Sequence, residues 1–372
     1  MTLTEDVRQY ALGLGFAAAG VAEATPLLAH ERVLRRRLAD GLLAGIAYLT
    51  PERAGRAVRP QALLPGARAV LSLAIPYAGG ERALPPRGGC GLVAAYARGR
   101  DYHLAARERL ARLAEFIARL FPGASCRAFV DATPLLERAF AVQAGLGWFG
   151  KNNCLVTPGR GSWVLLAEIV TDAPLRPDAP AGGDCGTCTA CLEACPTGAL
   201  EAPYTHRASR CLSYVTTELR GPIPLALRPL LAQRVLGCDS CQEACPRNAG
   251  VRGGWAELQP TAGLATWLDL GALFALSPAA FADAYGGSAA VRAKRRGLLR
   301  NAAVALGNAG DRGAVTALLR GLADEEPLVR GHAAWALGRL GGRRARAGLE
   351  RAQRGEEDAY VRGEIIAALA AA

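Results

Sequence analysis

The chain has 372 residues, 51% of them hydrophobic, and a formal net charge of +11. That length admits two or three domains with real cores. The lack of any apolar run of roughly 18 residues excludes a conventional transmembrane helix. All but two of the 44 Lys and Arg side chains are arginine. This fits a polyanionic partner such as nucleic acid or a membrane surface, and equally an arginine-rich proteome. Met1 to Tyr10 is polar and acidic, unlike a signal peptide. A cytoplasmic chain without a membrane anchor is therefore expected, and nothing asks for more than a monomer.

In chain order, Thr4 is expected to cap a first helix that runs to about Leu14. Ala69 to Ile75 is a continuous apolar run, as in a buried strand, and Pro76 to Gly89 reads as loop. Leu110, Leu113, Phe116, Ile117 and Leu120 share one face of a helix over 102–121. Cys126 to Val130 reads as a short strand ending at Asp131. Thr133 is placed to cap a helix containing Leu135, Leu136, Phe140 and Val142, and Ser162 to Val170 reads as a further strand. Pro174 to Gly183 is a linker into a cysteine-rich region. Beyond it, the segments around Arg300, Arg330 and Arg362 resemble one another, with a period of roughly 30 residues, as in short HEAT-like repeats. Such stacks present an extended surface. Arg292, Lys294, Arg295, Arg296, Arg339, Arg343, Arg344, Arg346 and Arg351 favour a polyanion there over a plain helical cap.

Eight of the eleven cysteines lie between Cys185 and Cys245. In a reducing compartment that pattern reads as metal or cluster ligation rather than disulfides. Cys185-x2-Cys188-x2-Cys191-x3-Cys195-Pro196 lets three thiolates wrap one cuboidal 4Fe–4S cluster while the fourth is carried to another. Cys238-x2-Cys241-x3-Cys245-Pro246, with Cys211 displaced, is the second set. Crossing the fourth ligands assigns Cys185, Cys188, Cys191 and Cys245 to one cluster, and Cys195, Cys211, Cys238 and Cys241 to the other. A pair of zinc sites is the competing reading, but zinc knuckles rarely end a four-cysteine run in Cys-Pro. Cys90, Cys126 and Cys154 stand apart as packed thiols.

The expected architecture is an α/β N-terminal domain over 1–175, a bacterial-ferredoxin-like double 4Fe–4S domain with flanking helices over 176–290, and C-terminal α-helical HEAT-like repeats over 291–372. Further segments carry a resemblance. They are Tyr96-Ala97-Arg98-Gly99-Arg100-Asp101-Tyr102-His103, Val130-Asp131-Ala132-Thr133-Pro134, Gly145-Leu146-Gly147-Trp148-Phe149-Gly150-Lys151, Gly161-Ser162-Trp163 and Cys211-Leu212-Ser213-Tyr214. With both cysteine sets, these resemble the epoxyqueuosine reductase family over most of the chain.

The resemblance implies cobalamin held between the N-terminal and iron–sulfur domains. It implies reduction of epoxyqueuosine to queuosine at the wobble position of tRNA for Asp, Asn, His and Tyr, the last step of queuosine biosynthesis. An external donor would feed electrons through the clusters, and the repeats would take the tRNA anticodon stem-loop. It implies Asp131 as the general acid, with helix capping beside Thr133 as a second role. Arg56, Tyr96, His103, Asp131, Lys151 and Ser213 are implied as cobalamin contacts. Asp101-Tyr102-His103-x-x-Ala106 superficially resembles a cobalt-ligating Asp-x-His-x-x-Gly motif. The resembled family holds cobalt without a protein histidine, so Tyr102 and His103 are read as pocket residues. Val58-Arg59-Pro60 departs from the family's usual Asp-Pro beside Arg56. Two other activities share parts of this pattern. One is a cobalamin-dependent reductive dehalogenase, for which an export signal is missing and a basic tail is superfluous. The other is a non-catalytic electron carrier.

Overall fold

The computed structural model describes residues 2–77, 88–131 and 135–371. Two compact units interleave along the sequence: Met1–Gly80, Asp101–Ser209 and Asp239–Gln259 make the first, and Glu81–Arg100, Arg210–Cys238 and Pro260–Ala372 the second. This division differs from three consecutive segments because the chain leaves the first unit and re-enters it twice.

The first unit is built on a four-stranded antiparallel sheet. Its strands are β1 (Ala18–Glu23), β2 (Ala69–Pro76), β3 (Cys126–Phe129) and β4 (Val164–Thr171), in the order β1-β2-β4-β3. All eight residues of β2 are buried. A strand covered on both faces loses the apolar–polar alternation, which is why this one reads as an unbroken apolar run. Leu71, Leu73 and Ile75 are fully buried, each contributing about 1.5–3 kcal/mol. Three helices cover the sheet. α1 (Leu3–Gly13) and α2 (Tyr102–Leu120) join through the stacked rings of Tyr10 and Phe116, 4.1 Å between centroids. α3 (Glu137–Gln143) packs Phe140 and Ala141 into one cluster with Val70 and Ala74.

Two expected helix starts differ. Thr2, not Thr4, caps α1 by accepting from the Glu5 N–H. Thr4 is buried in the first turn and its hydroxyl accepts from the Arg176 N–H at 2.9 Å, tying the helix to a distant segment. α3 begins at Glu137, after Leu135 and Leu136; the expected cap, Thr133, lies outside the described residues.

In the second unit, Cys90–Val93 is flanked by a parallel strand, Arg234–Leu236, and an antiparallel one, Trp267–Asp269. After two short helices, Leu270–Leu273 and Pro278–Tyr285, the chain enters α4 (Lys294–Ala309), α5 (Val315–Leu322), α6 (Pro327–Leu340), α7 (Arg343–Gly355) and α8 (Ala359–Ala371). The repeated motifs fall on α4, α6 and α8, and α6 packs against both of the others. Small residues permit this approach: a Cβ at Gly338 would sit 2.7 Å from the Ala368 Cα. Among the described residues no helix is long and apolar enough to cross a membrane.

Candidate active site

Cys185, Cys188, Cys191 and Cys245 all belong to the first unit. Burial, then the neighbouring Cys185, Cys245 and Cys188, push the Cys191 thiol up. Burial, Cys185 and Cys188 do the same to Cys245. The four thiols assigned to one cluster by spacing are therefore electrostatic neighbours. Like-charge repulsion among thiolates is what a cationic iron core relieves. Among the described residues no three His, Cys, Asp or Glu side chains close on a single ion. A cubane spreads its ligands more widely than one tetrahedral zinc does.

The two cysteine turns are pinned to the sheet unit by side chains. Lys151 Nζ donates to the carbonyls of Gly186 (2.6 Å) and Cys188 (2.8 Å), bracing the first turn. The Asn248 side chain accepts from the Ser162 N–H at 2.6 Å and donates to Ser162 Oγ and the Gln242 carbonyl. Gln242 in turn donates to Tyr77 Oη and the Ser162 carbonyl, both at 2.9 Å. Gly161 is required here: its φ is +57°, and a Cβ would fall 2.0 Å from Asn248 Oδ1. The Gly161-Ser162-Trp163 motif is thus a clamp for the second turn.

Of the other four cysteines, Cys195 and Cys241 lie in the first unit, Cys211 and Cys238 in the second. Burial raises the Cys195 thiol, but backbone N–H groups of Leu200, Thr197 and Ala199 outweigh it and leave the thiol low, as suits a thiolate ligand. Within the second unit, Cys211 opens the helix Leu212–Thr217, and Thr216 of that helix accepts from the Gly237 N–H, next to Cys238. Cys154, expected as a packed thiol, is half-buried, and its interaction with Cys241 lowers the thiol.

Asp131 stands two residues beyond β3 with a left-handed φ of +46°. Such a backbone costs about 1 kcal/mol and persists only when its surroundings impose it. Two contacts do so. The Tyr102 hydroxyl donates to Asp131 Oδ2 at 2.6 Å, and the Asp131 N–H donates to Glu137 Oε1 at 2.8 Å. His103 stacks on Tyr102, with centroids 4.1 Å apart, and its Nδ1 meets Asp101 Oδ1 at 2.7 Å. The Asp-Tyr-His segment therefore orients Asp131 through its tyrosine. Behind Asp131 are two carboxyls that sequence reasoning passed over, Glu137 at the start of α3 and Glu168 on β4. Burial, then the charge of Asp131, push Glu137 up to about 8. Burial, then Glu137 and Asp131, hold Glu168 well above the usual carboxylate range. A lone Glu in a strand that is otherwise apolar from Val164 to Val170 was the available signal.

The remaining predicted residues are dispersed. Arg56 is exposed in the last turn of the helix Pro51–Ala57 in the first unit. Tyr96 and Ser213 are half-buried in the second unit. His103, Asp131 and Lys151 lie with Arg56 in the first.

Comparison with known proteins gives a consistent result. A 4Fe-4S double cluster binding domain matches residues 184–248, an epoxyqueuosine reductase QueG family model matches 57–132, and HEAT repeats match 288–370. The epoxyqueuosine reductase of Pseudomonas aeruginosa is 41% identical over 350 residues, 91% of this chain and 95% of the relative. That of Salmonella typhimurium is 40% identical, over 90% of this chain and 88% of the relative. A crystal structure of epoxyqueuosine reductase with an epoxyqueuosine-modified tRNA-Tyr stem loop superposes with a TM-score of 0.92 at 32% identity, covering 99% of this chain and 98% of that one. Another, from Bacillus subtilis, matches equally well and shows an aspartate-bearing catalytic loop swung out of the active site. Full-length identity of this order, joined to the cysteine turns and the oriented aspartate, places this iron–sulfur oxidoreductase in the epoxyqueuosine reductase family.

Proposed function

We propose that this chain reduces epoxyqueuosine to queuosine at the wobble position of tRNA for Asp, Asn, His and Tyr, in the cytoplasm and as a monomer. The observation that carries this is Asp131, exposed, conformationally imposed and hydrogen-bonded to Tyr102, in the same unit as the first four-cysteine set. Removing an epoxide oxygen as water takes two electrons and two protons. The eight cysteines supply a path for single electrons, with Cys185, Cys188, Cys191 and Cys245 holding one 4Fe–4S cluster and Cys195, Cys211, Cys238 and Cys241 the other. Asp131 supplies a proton to the developing alkoxide as general acid.

The cofactor that fits this chemistry is cobalamin, which when bound supplies a low-valent cobalt able to collect electrons and attack carbon. The family's Gly-Leu-Gly-Trp-x-Gly-Lys segment suits it. Trp148 Nε1, Asn153 Nδ2 and Thr157 Oγ1 are buried without hydrogen-bond partners among the described residues. They are donors of the kind that amide-bearing corrin side chains accept from. Arg56, Tyr96, His103, Asp131, Lys151 and Ser213 are the further proposed contacts, Lys151 with two of its donors already committed to the cysteine turn.

The stem-loop partner is supported by the repeats. Arg343, Arg344 and Arg351 are exposed on α7, with no ion-pair partner among the described residues. The test is anaerobic incubation of the cofactor-loaded chain with reductant and epoxyqueuosine-containing stem-loop, with nucleosides read by mass spectrometry. Conversion to queuosine is expected. Fully loaded protein that binds the stem-loop without converting it would refute the proposal.

A further inference from the structure

We propose that Glu137, backed by Glu168, is the proton store that recharges Asp131 during the reaction, an inference that rests on reading Asp131 as the acid. The stoichiometry creates the need. The epoxide takes up two electrons and two protons; both of its C–O bonds break, a C=C bond forms and the oxygen leaves as water. Asp131 holds one proton at a time, so a second must come from elsewhere.

The geometry supplies a source behind it. Glu137 Oε1 accepts from the Asp131 backbone N–H at 2.8 Å. Asp131 is the exposed member, the one a bound nucleoside would cover, and Glu137 lies on the protein side. Behind Glu137, Glu168 is completely buried, and neither of its oxygens has a well-formed hydrogen bond among the described residues. Ser72, its cross-strand partner on β2, is equally buried, and its hydroxyl has no hydrogen-bond partner among the described residues. Uncompensated polar groups in a sheet core are destabilising and are retained where they serve another purpose. The charged or titratable groups acting on Glu137 are Asp131, Arg138 and Glu168, and on Glu168 they are Glu137 and Asp131. Among the described residues no cation is paired with Glu168, and burial with like charge holds the pair protonated. One proton passes from Asp131 to the substrate oxygen. A second passes from Glu137 to Asp131, with Glu168 next in line. Solvent refills the pair once product has left and Asp131 is exposed again.

The test uses the full, cofactor-loaded chain in single turnover across pH, with Glu137→Gln, Glu168→Gln and Asp131→Asn in parallel. A glutamine at 137 keeps an oxygen for the Asp131 N–H but stores no proton. Wild type should slow as pH rises through about 8. Glu137→Gln should be about tenfold slower or more, with that alkaline limb gone, at unchanged stem-loop affinity. Glu168→Gln should move the limb. On the free protein at neutral pH, the infrared band of a protonated carboxyl should weaken in either glutamine variant. Should Glu137→Gln fail to load its clusters, the infrared band and the Glu168→Gln profile decide. A wild-type rate, profile and infrared band in the glutamine variants would overturn the proposal and leave Asp131 as the acid. Undiminished turnover in Asp131→Asn would instead overturn the reading of Asp131.

Discussion

Two sets of buried ionisable groups, one in each unit, are handled in opposite ways. In the repeats, Arg300 is 1% exposed, yet its fork is fully engaged. It donates to the carbonyls of Leu219 (2.7 Å), Gly221 (2.8 Å) and Val215 (2.7 Å) and to Asn301 Oδ1. Arg228, 2% exposed, grips Glu364 with both terminal nitrogens. In the sheet unit, Glu168 is just as buried and has no ion-pair partner among the described residues. Removing a charge from water costs several kcal/mol unless hydrogen bonds and countercharge replace the lost hydration. Burial lowers Arg300 only to about 10, so it stays charged at neutral pH. Burial and like charge push Glu137 and Glu168 up, so they stay protonated. A satisfied buried charge locks packing, and an unsatisfied one behind an exposed aspartate keeps protons available.

The sharpest way to break this contrast is Asp131→Ala. Turnover should fall by about 10²–10⁴-fold, while iron content and stem-loop affinity hold. Unchanged turnover would remove any chemical role from the sheet site. Arg300→Met should do the reverse. Three carbonyls lose their donor, and the stability of the second unit should drop by about 3–5 kcal/mol in denaturant titration. A drop under 1 kcal/mol would show that Arg300 is not structural.

These pairs also show what the sequence could and could not reveal. The central strand was legible because covering both of its faces demands unbroken apolar residues. The cysteine sets were legible because cluster geometry demands their spacing, and the repeats because stacking demands a period. Arg300 recurs in that period as though it were surface charge, and its burial emerges only when Leu219 and Val215 fold over it. Arg292 and Arg295, counted among polyanion-binding residues, are paired with Glu218 and Asp324. Glu137 and Glu168 lie 31 positions apart in sequence and meet only through sheet and helix packing. Lys151 was expected to face a ligand; its two bonds to the cysteine turn could not be inferred from a glycine-rich motif.

A third prediction concerns pH. Folding raises Glu137 from 4.5 to about 8. The stability it confers is full below about pH 4.5 and is lost as pH rises through about 8. Glu137→Gln should flatten thermal stability across that window by on the order of 1–4 kcal/mol. Parallel curves for variant and wild type would mean the carboxyl is not held protonated. The smallest expected effect is on the repeats. Arg343→Ala or Arg344→Ala should weaken stem-loop binding modestly and reduce the salt slope by about 0.7–0.9 per lost phosphate contact. An unchanged slope would move the RNA surface off α7.

The most direct test of the whole account is the metal content and spectrum of anaerobically purified chain incubated with cobalamin. Electrons reach the Asp131 site only if two cubanes are present, so about eight iron and eight sulfide per chain are predicted, together with a bound corrin spectrum. Zinc in place of iron and sulfide, or iron-loaded protein indifferent to cobalamin, would contradict it.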